Sequence, residues 1–99
     1  MNIVEQNILG VFEICRLHRV KNMYLFGSIL NENYSSDSDV DFLVNFDNVD
    51  LSQYFNNYMD FKEKLERLLN RPVDILEEQT VKNPVLRRSI DRNKKLIYG

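Results

Sequence analysis

Residues 23–46 read MYLFGSILNENYSSDSDVDFLVNF, and the order of residue types in this stretch decides the fold. An apolar, aromatic run closes on Gly27-Ser28, ten residues follow, and Asp39-Val40-Asp41 then opens a second apolar run. The first run is short and ends in glycine, which predicts a buried strand over 23–27. NENYSSDS, at 31–38, is a loop by composition, because Asn, Ser and Asp side chains compete for backbone hydrogen bonds and disfavour regular structure. VDFLVNF alternates enough to predict a strand over 39–46. Side chains two apart on a strand share a face, so Asp39 and Asp41 should project together while Val40 and Phe42 pack the other way.

That pairing has a chemical reading. Two carboxylates held side by side repel, and a divalent cation resolves the conflict; Mg²⁺ takes oxygen ligands and is commonly held by one or two carboxylates together with substrate phosphates. Gly27 has no Cβ and can adopt positive φ, so it lets backbone approach a phosphate. Ser28, at the start of a short helix, offers a hydroxyl and neighbouring N–H groups to an anion. Strand, Gly-Ser turn, helix, loop and carboxylate strand therefore predict a triphosphate cradle beside its metal. A third carboxylate, Asp74, lies in the apolar frame Val73-Asp74-Ile75-Leu76. If its strand pairs beside the first carboxylate strand, Asp74 can complete a two-metal site or take the proton from an attacking hydroxyl.

Working outward, Ile3, Ile8, Val11, Phe12 and Cys15 recur at helical spacing, with Asn2 and Glu5 placed as a capping box, which predicts a helix over 2–18. From Leu51 the residues Tyr54, Phe55, Tyr58, Phe61, Leu65, Leu68 and Leu69 step by three and four behind an Asp50 cap, predicting a helix that ends near Asn70. RPVDILE gives a strand over 72–76, with Pro72 at its first position. Asn83-Pro84 opens a helix to about Arg92 with Val85, Leu86 and Ile90 expected inward. KKLIY closes the sheet as an edge strand. The order implies a small α/β layer structure: one domain over 1–99, with a mixed β-sheet of about four strands and helices packed on it.

With 99 residues and a net charge of -2, the chain has material for one core, so a bulky acceptor should be recognised with help from a partner. No apolar run approaches the roughly 18–20 residues that cross a bilayer, and MNIVEQN lacks the order of a signal peptide, so a cytoplasmic protein with no membrane contact is expected. Cys15 and His18 are the only residues of their kinds, which excludes a disulfide framework, a cysteine-rich zinc site and a Ser-His-Asp hydrolase. Cys15 reads as a small core residue and His18 as the C-terminal end of the first helix. Charge is unevenly spread: residues 1–60 carry -6, 61–79 carry -1 and 80–99 carry +5. An acidic body with a basic tail does not suit direct nucleic-acid binding; it suits a site that gathers cations beside a basic patch.

GSILNENYSSDSDVDFLVNFD followed by RPVDIL resembles the minimal nucleotidyltransferases of the DNA polymerase β superfamily, the MNT or MntA type of antitoxin. The resemblance runs from the leading helix to the closing LIY. It implies the polymerase β-like nucleotidyltransferase fold, nucleotide binding by Gly27 and Ser28, and catalytic metal binding by Asp39, Asp41 and Asp74, with two Mg²⁺ ions and ATP as substrate. It further implies transfer of AMP to a hydroxyl, in the family setting a tyrosine of a HEPN-domain toxin partner. Such family members neutralise the toxin in a toxin–antitoxin pair. The chain departs from the family where a small residue, an arginine and a glycine usually follow the Gly-Ser turn; here stand Leu30, Asn31 and Glu32. Arg87, Arg88 and Lys82 are candidates to supply the missing positive charge. The departure motivates a second reading, an antitoxin weak or inactive in catalysis that neutralises its partner by binding alone. A third reading, nucleotide transfer to an RNA end or to a small molecule such as an aminoglycoside, would ordinarily call on an additional acceptor-binding domain.

Overall fold

The computed structural model describes residues 2–30 and 38–99. In chain order it contains α1 (Ile3–Gln6), α2 (Ile8–Leu17), β1 (Val20–Phe26), a 3-10 turn over Gly27–Leu30 and β2 (Val40–Phe46). There follow α3 (Leu51–Leu69), β3 (Val73–Glu77), a second 3-10 turn over Glu78–Thr80, α4 (Pro84–Asn93) and β4 (Lys95–Tyr98). The loop expected over 31–38, with Asn31 and Glu32, lies outside the described residues up to position 37.

The leading helix begins as expected: Asn2 Oδ1 accepts from the Glu5 N–H at 2.9 Å and Glu5 Oε1 accepts from the Asn2 N–H at 3.4 Å. It is not one helix, however. Asn7 interrupts it with φ -118° and ψ 25°, and its Nδ2 donates to the Ile3 carbonyl at 2.8 Å. An asparagine side chain bonding its own backbone competes with the helical ladder, which is why periodicity alone missed the break. Helix α2 then ends at His18, whose ring is buried. Nδ1 lies 2.7 Å from the Ile14 carbonyl oxygen and Nε2 lies 2.6 Å from Asp60 Oδ2, while Asn57 Nδ2 donates to the His18 carbonyl at 2.9 Å. These bonds fasten the end of α2 to α3.

The strand order is β3-β2-β1-β4. β1 runs antiparallel to both β2 and β4, whereas β2 and β3 are parallel, joined by the α3 crossover that parallel pairing requires. The mixed four-stranded sheet is thus as the sequence predicts. One face carries the core: Met23 and Leu25 from β1, Val40, Phe42 and Val44 from β2, and Val73 and Ile75 from β3 pack against Val4, Val11, Cys15, Phe61, Leu65 and Leu69. The Cys15 thiol is pushed up to about 12 by burial, as fits an inert core residue.

Helix α4 lies on the other face. Lys94 Nζ sits 4.4 Å from the centroid of the Tyr24 ring. Glu78 accepts from Arg87 Nη2 at 2.6 Å and also from Asn45 Nδ2, which itself reaches Asn22 Oδ1 at 3.1 Å. Of the three α4 residues expected inward only Ile90 is buried; Val85 is 73% exposed and Leu86 is partly so. An amphipathic helix of ten residues over a sheet face rich in polar side chains needs only a narrow apolar seam. Along α3 the inward stripe of Phe61, Leu65 and Leu69 holds, but Phe55 is exposed together with Leu51 and Met59. No helix among the described residues is long and apolar enough to cross a membrane.

Phe61 is fully buried and its ring meets Phe46 edge-on at 5.4 Å and His18 at 5.6 Å. Phe61→Ala should lower the unfolding free energy by about 3–5 kcal/mol in denaturant titration. Phe55→Ala, on the exposed face of the same helix, should stay within about 0.5 kcal/mol.

Candidate active site

β1 delivers its chain end directly into the site. After Phe26 the backbone turns at Gly27 with φ +83°, a conformation that side chains with a Cβ rarely adopt. The turn is also tight: a Cβ at Gly27 would stand 2.2 Å from Asp41 Oδ2. Glycine is therefore required twice here, once by the dihedral and once by the space the carboxylate takes. Ser28 follows inside the 3-10 turn that the sequence predicts as a short helix.

Register brings the acids together. Phe26 pairs with Asp41 across the β1–β2 ladder, and Asp41 pairs with Asp74 across the parallel β2–β3 ladder. Asp41 and Asp74 consequently occupy adjacent strands at the same level of one face, the face away from the core. Asp39 stands just before β2, one residue outside the strand expected to begin with it, and Val40 donates its N–H to the Pro72 carbonyl at 3.0 Å. The neighbours Val40 and Phe42 are buried on the opposite side, as the alternation predicts.

The electrostatics follow from this placement. Asp41 is half-buried, and its carboxyl is pushed up to about 6, first by burial and then by the charges of Asp74 and Asp39. A bound cation would offset the repulsion among these charges, which makes the three acids candidates to hold one. The donor set is oxygen only, which is that of a hard divalent cation. Among the described residues no three acids already close around a point as a finished cage.

Beside the turn lies a cleft of roughly 580 Å³, within the range of small-ligand sites. Its sheet side is Phe26, Gly27, Ser28 and Leu30; its other wall is the α4 face of Leu86, Ser89, Ile90 and Asn93. This wall was not read from the sequence. The spacing 86, 89, 90, 93 is helical, but two apolar and two polar residues make a weak stripe, and only the fold shows what it faces. Arg87, one of the cations considered for phosphate, is already engaged: the Glu78 side chain, the Glu78 carbonyl at 3.1 Å and Asp91 at 3.3 Å accept from its guanidinium.

The family model of polymerase β nucleotidyltransferases matches residues 11–99. The chain belongs to that family. It is accordingly a nucleotidyltransferase with the family's small mixed-sheet fold. Two proteins of Methanocaldococcus jannaschii whose names propose protein adenylyltransferase activity are 33% and 32% identical to it, over 81 and 82 residues, covering 82% of this chain and 78% of each relative. A solved structure described as a proposed minimal nucleotidyltransferase superposes with a TM-score of 0.76 at 28% identity, over 96% of this chain and 95% of the other. The same fold, at 21% identity and a TM-score of 0.65, occurs in a structure described as a tri-AMPylated Shewanella oneidensis HEPN toxin in complex with MNT antitoxin, covering 96% of this chain and 71% of that one.

Gly27→Ala should leave the chain folded, with backbone strain of about 1–3 kcal/mol, while displacing the Asp41 carboxylate. Nucleotide transfer should fall by about a hundredfold or more, since misplacement by about 1 Å carries that penalty; full activity in a turnover assay would contradict the placement. Asp41→Asn tests the electrostatics. A carboxyl raised in the folded state makes the native chain lose stability as pH rises from about 4 to about 6. Without divalent metal the variant should therefore be the more stable protein at pH 7.5, by on the order of 1 kcal/mol after solvent screening, and should lose this lead below about pH 4. Thermal unfolding across pH reads the difference.

Proposed function

We propose that the chain transfers AMP from ATP to a hydroxyl group of a protein, with Asp39, Asp41 and Asp74 holding two Mg²⁺ ions and Gly27 and Ser28 contacting the phosphates. The observation that carries the reading is the register of Asp41 opposite Asp74, with the Gly27 turn pressed against the Asp41 carboxylate. Divalent cations bound there would neutralise phosphate charge and favour the ionised form of the attacking hydroxyl. The acceptor oxygen forms a bond to the α-phosphorus, the bond from that phosphorus to the bridging oxygen of the β-phosphate breaks, and pyrophosphate leaves. Asp74, exposed beside Asp41, would act either as a metal ligand or as the base that takes the acceptor's proton. The turn's backbone and the Ser28 hydroxyl orient the phosphates, so most of the catalysis is positional.

The names of the Methanocaldococcus relatives support adenylyl transfer to protein, and the fold shared with an antitoxin bound to a HEPN toxin supports a toxin as acceptor; in this reading the hydroxyl is a tyrosine's. In this reading the 99 residues act as one minimal domain in the cytoplasm, and the acceptor side of the reaction is supplied by the partner chain. A second reading, neutralisation by binding alone, is favoured by one observation: no lysine, arginine or histidine occurs between Lys21 and Lys62, the stretch that carries the turn and both first acids.

Co-expression with a HEPN-domain toxin from the same genome separates the two. The partner's mass should rise by one or more AMP units with the wild-type chain, and an Asp39→Asn/Asp41→Asn double variant that stays folded should leave it unmodified and toxic. Neutralisation that survives the double substitution, with no mass change, would establish binding alone.

A further inference from the structure

The phosphate chain of a nucleoside triphosphate brings more negative charge to a site that already holds three carboxylates, and the cations that answer it must come from a particular place. The segment from Asn22 to the end of β2 brings none, since no basic residue lies between Lys21 and Lys62. Helix α4 is different. It carries Arg87, Arg88 and Arg92, with Lys94 at its cap, and its 86, 89, 90, 93 face forms the wall of the cleft that opens beside Gly27 and Ser28.

These four cations are not equivalent. Arg87 is bonded to Glu78 and Asp91, and Lys94 is bonded to Asp91 at 2.9 Å and lies over the Tyr24 ring. Both are engaged in holding α4 on the sheet. Arg88 and Arg92 are exposed and make no ion pair among the described residues. Arg92 is three residues from Ser89 and adjacent to Asn93, so helical spacing puts it on the solvent margin of the cleft wall; Arg88 lies one turn earlier and further round. The order of groups across the site is then Asp74, Asp41, the Gly27–Ser28 turn, the cleft, and the wall that carries Ser89 and Asn93. A phosphate chain attacked at the carboxylates and lying over the turn directs its leaving end into that cleft.

We infer that Arg92, together with Ser89 and Asn93, forms the leaving-group half of the site, receiving the β- and γ-phosphates of the bound triphosphate and the pyrophosphate that departs. The inference rests on the nucleotidyl-transfer reading given above and deepens it by assigning the phosphate-binding cation. An arginine fork presents paired donors to phosphate oxygens, and the Ser89 hydroxyl and Asn93 amide add neutral ones. The Glu78–Arg87 clamp contributes indirectly, by fixing the helix that carries all three.

Calorimetric titration of the full chain with ATP, AMP and inorganic pyrophosphate, each with Mg²⁺, tests the assignment. Arg92→Gln should weaken ATP and pyrophosphate by about tenfold and leave AMP unchanged, because AMP lacks the phosphates in question. Arg92→Lys should recover part of the loss, by retaining charge without the fork. Arg67→Gln, on the opposite face of the sheet in an exposed pair with Glu63, should change none of the three and so exclude a bulk charge effect. Equal weakening of ATP and AMP by Arg92→Gln would place the nucleoside in the cleft and overturn the inference, as would an Arg92→Gln chain that binds all three normally. A wild-type chain that binds neither ATP nor pyrophosphate would overturn the functional reading itself.

Discussion

In the site a carboxylate packs against a backbone that carries no side chain. Asp41 Oδ2 occupies the space where a Cβ at position 27 would be. This contact ties the end of β1 to the middle of the sheet face, and the other features fall into place around it. β1 must be central so that its last residue can pair with Asp41; β2 must then have β3 on its free side so that Asp74 can stand level with Asp41. The raised affinity of the Asp41 carboxyl for its proton is the energetic trace of that crowding. Stability given up at such a point is a common mark of a site prepared for a charged ligand.

The two faces of the sheet answer to different demands. On one, three helices enclose a dry core in which Phe42, Phe61 and Leu65 are completely buried. On the other, Asn22, Asn45, Glu78 and Arg87 form a polar network under α4 instead of an apolar seal. Such a network holds a helix at a defined distance while leaving the end of the sheet open, which is where the cleft lies. The helix α4 is thereby both roof and wall: the clamp anchors one side of it, and the cleft runs along the other.

Much of this was legible in the sequence because the decisive residues are close together along the chain. Gly27, Ser28, Asp39 and Asp41 fall within fifteen positions, and strand alternation alone puts the acids on one face. Asp74 required only the further step that its strand pair beside β2. What stayed hidden depends on contacts distant in sequence or on competition between local bonds. The break at Asn7 arises from a side chain that satisfies its own backbone, which periodicity does not register. The cleft wall on α4 was invisible because Ser89 and Asn93 take their meaning from the turn sixty residues earlier. Arg87 looked available by charge and proved to be committed by Glu78, a partner nine residues away across a turn.

The parallel pairing of β2 with β3 has a consequence for how the protein comes into being. Asp41 and Asp74 are brought level only when the α3 crossover has closed and the two strands have found register. Contacts of such long sequence separation form late, since loop-closure entropy opposes them until the intervening helix is packed. While the chain emerges during synthesis, the Gly27 turn and the first two acids can meet as a hairpin before the third acid exists. A nascent or partly folded chain thus lacks the third carboxylate beside the first two, and the assembled Asp41–Asp74 pair is itself a report that β3 has docked on β2.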